Sequence, residues 1–159
     1  MRAKGCQNMV FYYSASRKSE AYAKLLGEML NYDVYELKCD LDASSKFSFY
    51  LSAAFVKSKS EITNMPKNID AAEIYLVGPV WAGGLARPLK YFLQNAPLEG
   101  KKVNVLLTAM VADGKYALVA EKKLSEVNCI SGEAHVFATP KSGLDREIAE
   151  EHIRKLYNV

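Results

Sequence analysis

Three serines and two cations lie within the six-residue segment 14–19, where an apolar run gives way to a helical pattern. The serines are Ser14, Ser16 and Ser19, and the cations between them are Arg17 and Lys18. Hydroxyls donate hydrogen bonds to anion oxygens, and a helix N-terminus attracts negative charge. Charge-assisted bonds from the two cations would strengthen such a site. A single serine would indicate only a helix cap, but the whole set favours a phosphate-binding loop.

The only tryptophan of the chain lies in a second segment, Gly-Pro-Val-Trp-Ala-Gly-Gly at 78–84. The apolar run 74–77 before it is typical of a strand buried on both faces, and glycine and proline then end the regular structure. Trp81 can stack on a planar ring, and the backbone of Val80, Ala82 and Gly83 can approach the edge of that ring. The alternative is that Trp81 only caps the core. The two loops together predict a mononucleotide cofactor with a flat ring.

A third segment, 108–114, ends in the turn signal Asp113-Gly114. Tyr116, just beyond it, has two equal interpretations: it supplies a second aromatic face to a ligand, or it begins a helix and packs on the core. The cysteines, Cys6, Cys39 and Cys129, are too far apart in sequence to suggest a zinc site. We therefore expect no metal site.

The apolar patterns predict five strands that alternate with five helices. The predicted strands are 8–13, 33–38, 73–79, 103–108 and 132–138, and the predicted helices are 18–30, 45–57, 85–95, 115–127 and 144–157. This alternation indicates an α/β fold with a doubly wound, five-stranded parallel sheet covered by helices on both faces, a three-layer sandwich. The expected strand order is 2-1-3-4-5, which puts the loops after strands 1 and 3 at the ligand-binding edge.

Size and composition narrow the class of protein. The chain has 159 residues, half of them hydrophobic, and is expected to form a single domain over 1–159. No apolar run approaches the ~18 residues of a membrane span, and no signal-peptide pattern follows the basic N-terminus, so we expect a cytoplasmic protein. The net charge of +3 is not clustered as it is in proteins that bind nucleic acid.

At these residues the chain resembles the flavodoxin family over essentially its whole length, and it is most similar to the short-chain type. Ser14, Ser16 and Ser19 match the hydroxyl positions of the family's phosphate loop, [Ser/Thr]-x-[Ser/Thr]-Gly-Asn-[Ser/Thr]. Arg17 and Lys18 replace its Gly-Asn, and a loop built around glycine can require a φ that arginine adopts poorly. The run 78–83 is similar to the family's isoalloxazine loop. Asp113 and Tyr116 resemble a family Asp-x-x-Tyr pattern, over a shorter match.

This resemblance implies FMN as the cofactor and electron transfer as the function. In that function the cofactor carries the chemistry, so no side chain is expected to act as a catalytic acid or base. The resemblance also implies that the five residues of the first loop hold the phosphate, that Trp81 covers one ring face, and that residues 80–83 meet the ring edge. Tyr116 is a further candidate contact. The implied partner is a redox protein or an NAD(P)H reductase, and the chain would be a monomer or a homodimer. Many flavodoxins are strongly acidic, so this basic chain would present a different partner surface.

Two alternatives use the same fold. One is an NAD(P)H-dependent FMN or quinone reductase, whose first loop often reads Ser-x-Arg-x-x-Ser; this chain meets that pattern only in part. The other is a binding module that has lost FMN. The Arg17-Lys18 pair and the absence of glycine from 109–112 favour this module. Function depends on the site rather than on the fold, so both alternatives stay open.

Overall fold

A parallel sheet forms the centre of the computed structural model, which describes residues 8–39 and 61–159. The described strands are β1 (Met9–Tyr12), β2 (Asp33–Glu36), β3 (Glu73–Trp81), β4 (Gly84–Leu85), β5 (Lys102–Ala109) and β6 (Ile130–Ala138). The described helices are α1 (Lys18–Leu30), α2 (Arg87–Asn95), α3 (Gly114–Ser125) and α4 (Arg146–Tyr157). The predicted helix 45–57 and Cys6 lie outside the described residues.

The strands of the main sheet follow the order β2-β1-β3-β5-β6, and all of these neighbours pair in parallel. This is the predicted order 2-1-3-4-5, which is confirmed. The strand count differs because the short β4 pairs with β3 alone and antiparallel to it. β1 and β3 are adjacent although residues 13–72 separate them in sequence. Their register joins Met9 to Ile74 and Tyr12 to Val77.

The end of β3 departs from the prediction. The strand was expected to stop at Pro79, but it continues through Trp81 because Val80 and Trp81 pair with Leu85 and Gly84. Leu85 is therefore a strand residue, and α2 begins two residues later than its apolar pattern suggested. Leu85 is only 1% exposed, so an apolar residue needed by the core was misassigned to the helix.

Alternate side chains of the strands point to two separate cores, as the pleat of a sheet requires. Phe11 and Leu76 belong to the larger cluster, which lies under α2 and α3. Val10 and Tyr75 belong to the smaller cluster, which lies under α1 and α4. Helices therefore cover both faces, and the expected three-layer arrangement is confirmed. In the part of the chain that the structure describes, no helix is long and apolar enough to cross a membrane.

A close approach between β3 and α2 explains why Gly78 ends the apolar run of β3. A Cβ atom at position 78 would lie 2.5 Å from a methyl carbon of Leu89, which is far below van der Waals contact. Only glycine allows Leu89 to pack directly on the sheet backbone at this point. Leu89 is fully buried, so this contact fixes α2 beside the carboxyl end of β3.

A buried tyrosine joins α1 to α4 on the other face. The Tyr22 hydroxyl lies 2.8 Å from Nδ1 of His152, and the two rings also pack against Phe137. Burial lowers the pKa of His152, and the nearby His135 and Lys155 side chains lower it further. The neutral imidazole is therefore the form that the folded protein favours.

This pKa shift predicts that stability falls in acid below the ordinary histidine pKa of about 6.5. The unfolded chain binds the His152 proton more readily than the folded chain does, so the free energy of unfolding decreases as the pH falls through that value. Urea unfolding at several pH values between 8 and 5 measures this slope. In a His152→Gln variant the slope should be shallower, and an unchanged slope would contradict the assignment to His152.

Candidate functional site

Three connecting segments meet at the edge formed by the carboxyl ends of β1, β3 and β5. They are residues 13–17 after β1, the hairpin of β3 and β4, and residues 110–113 after β5. β1 and β3 are neighbours whose connections leave toward opposite faces, since α1 packs on one core and α2 on the other. Such a switch point opens a crevice at the sheet edge, where α/β proteins bind ligands.

The segment after β1 presents hydrogen-bond donors that the protein itself does not use. Among the described residues, the Ser14 Oγ is buried and has no hydrogen-bond partner. A buried hydroxyl left in this state costs about 1–3 kcal/mol, so an accepting ligand atom would remove the cost. No side chain caps the start of α1, whose first intrahelical bond runs from the Ala21 N–H to the Arg17 carbonyl. The preceding N–H groups therefore point outward, as they do in anion sites.

Arg17 adopts the backbone conformation that the sequence comparison with a glycine-centred loop led us to expect. Its φ of 64° and ψ of −1° are left-handed, and it immediately precedes the helix. For a residue with a Cβ, this conformation costs about 1–2 kcal/mol. The segment therefore holds a left-handed residue without glycine, at the expense of local strain. The side chains of Arg17 and Ser16 are exposed, and that of Lys18 is half-buried.

Ser19 differs from the other two serines. It is only 2% exposed, and its Oγ lies 2.7 Å from Oγ1 of Thr108, at the carboxyl end of β5. Thr108 is itself 4% exposed. Sequence reasoning placed Thr108 at the start of the third loop but gave it no role. The only available signal was a hydroxyl residue at the end of a strand next to the switch point.

The second side of the crevice is a hairpin with a two-residue turn. Both turn residues have positive φ, 47° at Ala82 and 80° at Gly83, as a type I′ turn requires. This turn suits the twist of paired strands and holds Trp81 at the end of β3. Trp81 is half-buried and packs on the larger core cluster, so part of its ring remains exposed.

Tyr13 supports Trp81 from the neighbouring strand end. Their ring centroids are 5.6 Å apart and the planes stand at 88°, an edge-to-face pair of the favourable kind. Tyr13 is 6% exposed, and burial raises its pKa to about 12, so the hydroxyl stays protonated at neutral pH. The sequence analysis assigned Tyr13 only to a strand, because nothing in the local pattern shows that it meets Trp81.

The third segment, residues 110–113, ends at Asp113, which caps the N-terminus of α3. Asp113 accepts a hydrogen bond from the Lys115 N–H and pairs with its ammonium group at 3.0 Å, and these contacts lower the Asp113 pKa. Tyr116 lies in the first turn of α3, half-buried against the larger core cluster. Its position is that of the helix-start alternative, and contact with a cofactor stays a prediction. Met110 and Val111 are 64% and 66% exposed.

The groups gathered at this edge are hydroxyls, helix N–H groups, cations and an aromatic ring. Such groups can bind and orient a ligand. Within residues 8–39 and 61–159, no group of three or more His, Cys, Asp or Glu side chains is arranged to hold a metal ion. The roles of the ten predicted site residues toward a cofactor remain predictions.

Comparison with known proteins supports the fold assignment. No family model matches the sequence, and no curated protein matches it. Solved structures do match. A candidate flavoprotein from Bacteroides uniformis is similar over 95% of this chain and 99% of its own, with a TM-score of 0.73 and 22% identity.

Two further solved structures extend the comparison. A flavoprotein in complex with FMN from Lactobacillus acidophilus matches 83% of this chain and 93% of its own, with a TM-score of 0.63 and 18% identity. A flavodoxin from Streptococcus pneumoniae matches 94% of this chain and 96% of its own, with a TM-score of 0.54 and 16% identity. The chain therefore has the flavodoxin-like fold, and the resemblance seen in the sequence is confirmed at that level.

The hairpin turn makes a prediction about Gly83. A Cβ atom at this position would meet nothing within 4 Å, so a Gly83→Ala change adds backbone strain and no clash. We expect it to lower the free energy of unfolding by about 1 kcal/mol, measured by urea denaturation. Gly114→Ala is the matched control, because Gly114 has the same open space without a positive φ. Equal effects of the two changes would refute the turn assignment.

The left-handed backbone of Arg17 makes a second prediction. Arg17→Ala and Arg17→Gly remove the same charge, but only glycine relieves the strain. We expect the glycine variant to be more stable than the alanine variant by about 1 kcal/mol. Thermal and urea unfolding of the two variants measure this difference. A more stable alanine variant would show that residue 17 is not left-handed in the folded protein.

Proposed function

We propose that this protein binds FMN in the crevice between the β1 loop and the hairpin, and that it acts as an electron carrier. The observation that carries this proposal is the buried, unpartnered Ser14 hydroxyl beside the uncapped N-terminus of α1. The Ser14 hydroxyl and the first N–H groups of α1 are hydrogen-bond donors, and phosphate oxygens are acceptors. The flavoprotein from Lactobacillus acidophilus, which has the same fold, was solved in complex with FMN.

The residues divide into a phosphate side and a ring side. Ser14, Ser16, Ser19 and the first N–H groups of α1 would donate hydrogen bonds to the phosphate, and Arg17 and Lys18 would add positive charge. On the ring side, Trp81 would stack on the flavin. The edge-to-face contact with Tyr13 would hold the Trp81 ring in place. The backbone of Val80, Ala82 and Gly83 would meet the ring edge, and Tyr116 is a further candidate contact.

The proposed cofactor supplies the redox chemistry, and the protein binds and orients it. An electron carrier needs no acid or base side chain at the ring. The proposed partner is a redox protein or an NAD(P)H reductase. Because the chain has a net charge of +3, we propose that this partner docks through an acidic surface. The cytoplasm is the proposed compartment.

Titration with FMN, followed by visible absorption and flavin fluorescence, tests the proposal. We expect binding that quenches the fluorescence, with riboflavin bound more weakly because it lacks the phosphate. Ser14→Ala should weaken FMN about tenfold and leave riboflavin unchanged, since it removes one bond to a charged group. Trp81→Ala should weaken both ligands and reduce the quenching.

A matched control is Ser125→Ala, which removes a hydroxyl at the C-terminus of α3. The proposed site lies at the other end of this helix, next to residues 110–113. Ser125→Ala should change neither affinity. Failure to bind FMN at micromolar concentrations would overturn the proposal and favour a binding module on the same fold. Rapid oxidation of NADPH by the FMN-loaded protein alone would favour the reductase alternative over an electron carrier.

A further inference from the structure

The hydroxyl pair of Ser19 and Thr108 links two parts of the site that are 89 residues apart in sequence. Their oxygens are 2.7 Å apart, and both residues are almost completely buried. Ser19 is the second residue of α1, in the first turn, where backbone N–H groups have no partner within the helix. Thr108 is the penultimate residue of β5, where it pairs with Pro79 on one side and Phe137 on the other. A bond between them ties the phosphate side of the crevice to the sheet.

The proton arrangement of this pair determines what Ser19 can offer a ligand. Each hydroxyl has one proton to donate. If Ser19 donates to Thr108, it has no proton left for a phosphate. If Thr108 donates to Ser19, the Ser19 proton is available, and the Thr108–Ser19–phosphate chain has two hydrogen bonds that polarise each other in the same direction. An anion at the start of α1 selects this second arrangement.

Thr108 is well suited to hold the arrangement. Its branched side chain has few rotamers, and its backbone is held between two strands. Ser19 alone has more rotational freedom. A hydroxyl fixed by a rigid neighbour recognises an anion more strongly than one that must first be ordered.

We propose that Thr108 is a positioning residue for anion recognition: its hydroxyl donates to Ser19 and directs the Ser19 proton toward the FMN phosphate. This inference rests on the proposed function. It adds a residue of β5, outside the phosphate loop, to the recognition of the phosphate. Thr108 touches Ser19 and acts through it.

The test compares FMN and riboflavin affinities of Thr108→Val, Thr108→Ser and Ser19→Ala with those of the unsubstituted protein. Valine has the shape of threonine without its hydroxyl, and it should weaken FMN about fivefold while leaving riboflavin unchanged. Serine restores the hydroxyl and should restore FMN affinity. Ser19→Ala should weaken FMN about tenfold, and adding Thr108→Val to it should cause no further loss, because both act on one bond.

The outcomes separate this inference from the proposed function. If the unsubstituted protein does not bind FMN, both fail. If it binds FMN but Thr108→Val keeps the full affinity, or loses FMN and riboflavin equally, the positioning role is wrong and the proposed function stands. An unchanged FMN affinity of Ser19→Ala also overturns the inference, and this result does not depend on whether the valine variant folds. Competition by inorganic phosphate should weaken in Thr108→Val by the same factor as FMN binding.

Discussion

The parallel pairing of β1 with β3 is the constraint on which the site depends. It brings together the ends of two strands that lie more than sixty residues apart in sequence. It also sets the Tyr13 ring edge-on to Trp81, with 5.6 Å between the ring centroids. The helices that follow the two strands pack on opposite faces, so their connecting segments diverge and leave a crevice. Any slip of one residue in this register would turn every side chain of β1 to the wrong core.

At two residues around this crevice, the backbone has a left-handed conformation that is unfavourable for any residue with a side chain. Arg17 and Ala82 both have positive φ, and they lie on opposite sides of the crevice. Each conformation persists because its surroundings fix it: α1 begins directly after Arg17, and the pairing of Trp81 with Gly84 closes the turn at Ala82. Observed strain of this kind clusters at ligand sites in proteins, so it supports the location of the site.

The sequence predicted the features that depend on local pattern. The bounds of α1 agree with its predicted 18–30, because its apolar spacing is regular and its C-terminus is marked by Asn31 in a left-handed conformation. The β4 hairpin was missed because Leu85 fits a helical apolar face as well as a strand. Thr108 and Tyr13 were missed as site residues because their contacts, to Ser19 and Trp81, join distant segments. Such contacts follow from the sheet register and cannot be inferred from neighbours in sequence.

Neutral buried groups, rather than the exposed Arg17 cation, should decide how strongly the proposed site holds an anion. The Arg17 side chain is exposed, and an exposed charge is screened by water and salt, so its contribution is small. Ser14 and Ser19 are shielded from water, where a hydrogen bond to an anion is electrostatically stronger. Arg17 and Lys18 therefore lie at the rim of the proposed phosphate site, while the hydroxyls and helix N–H groups beneath them form the part that we propose binds the phosphate.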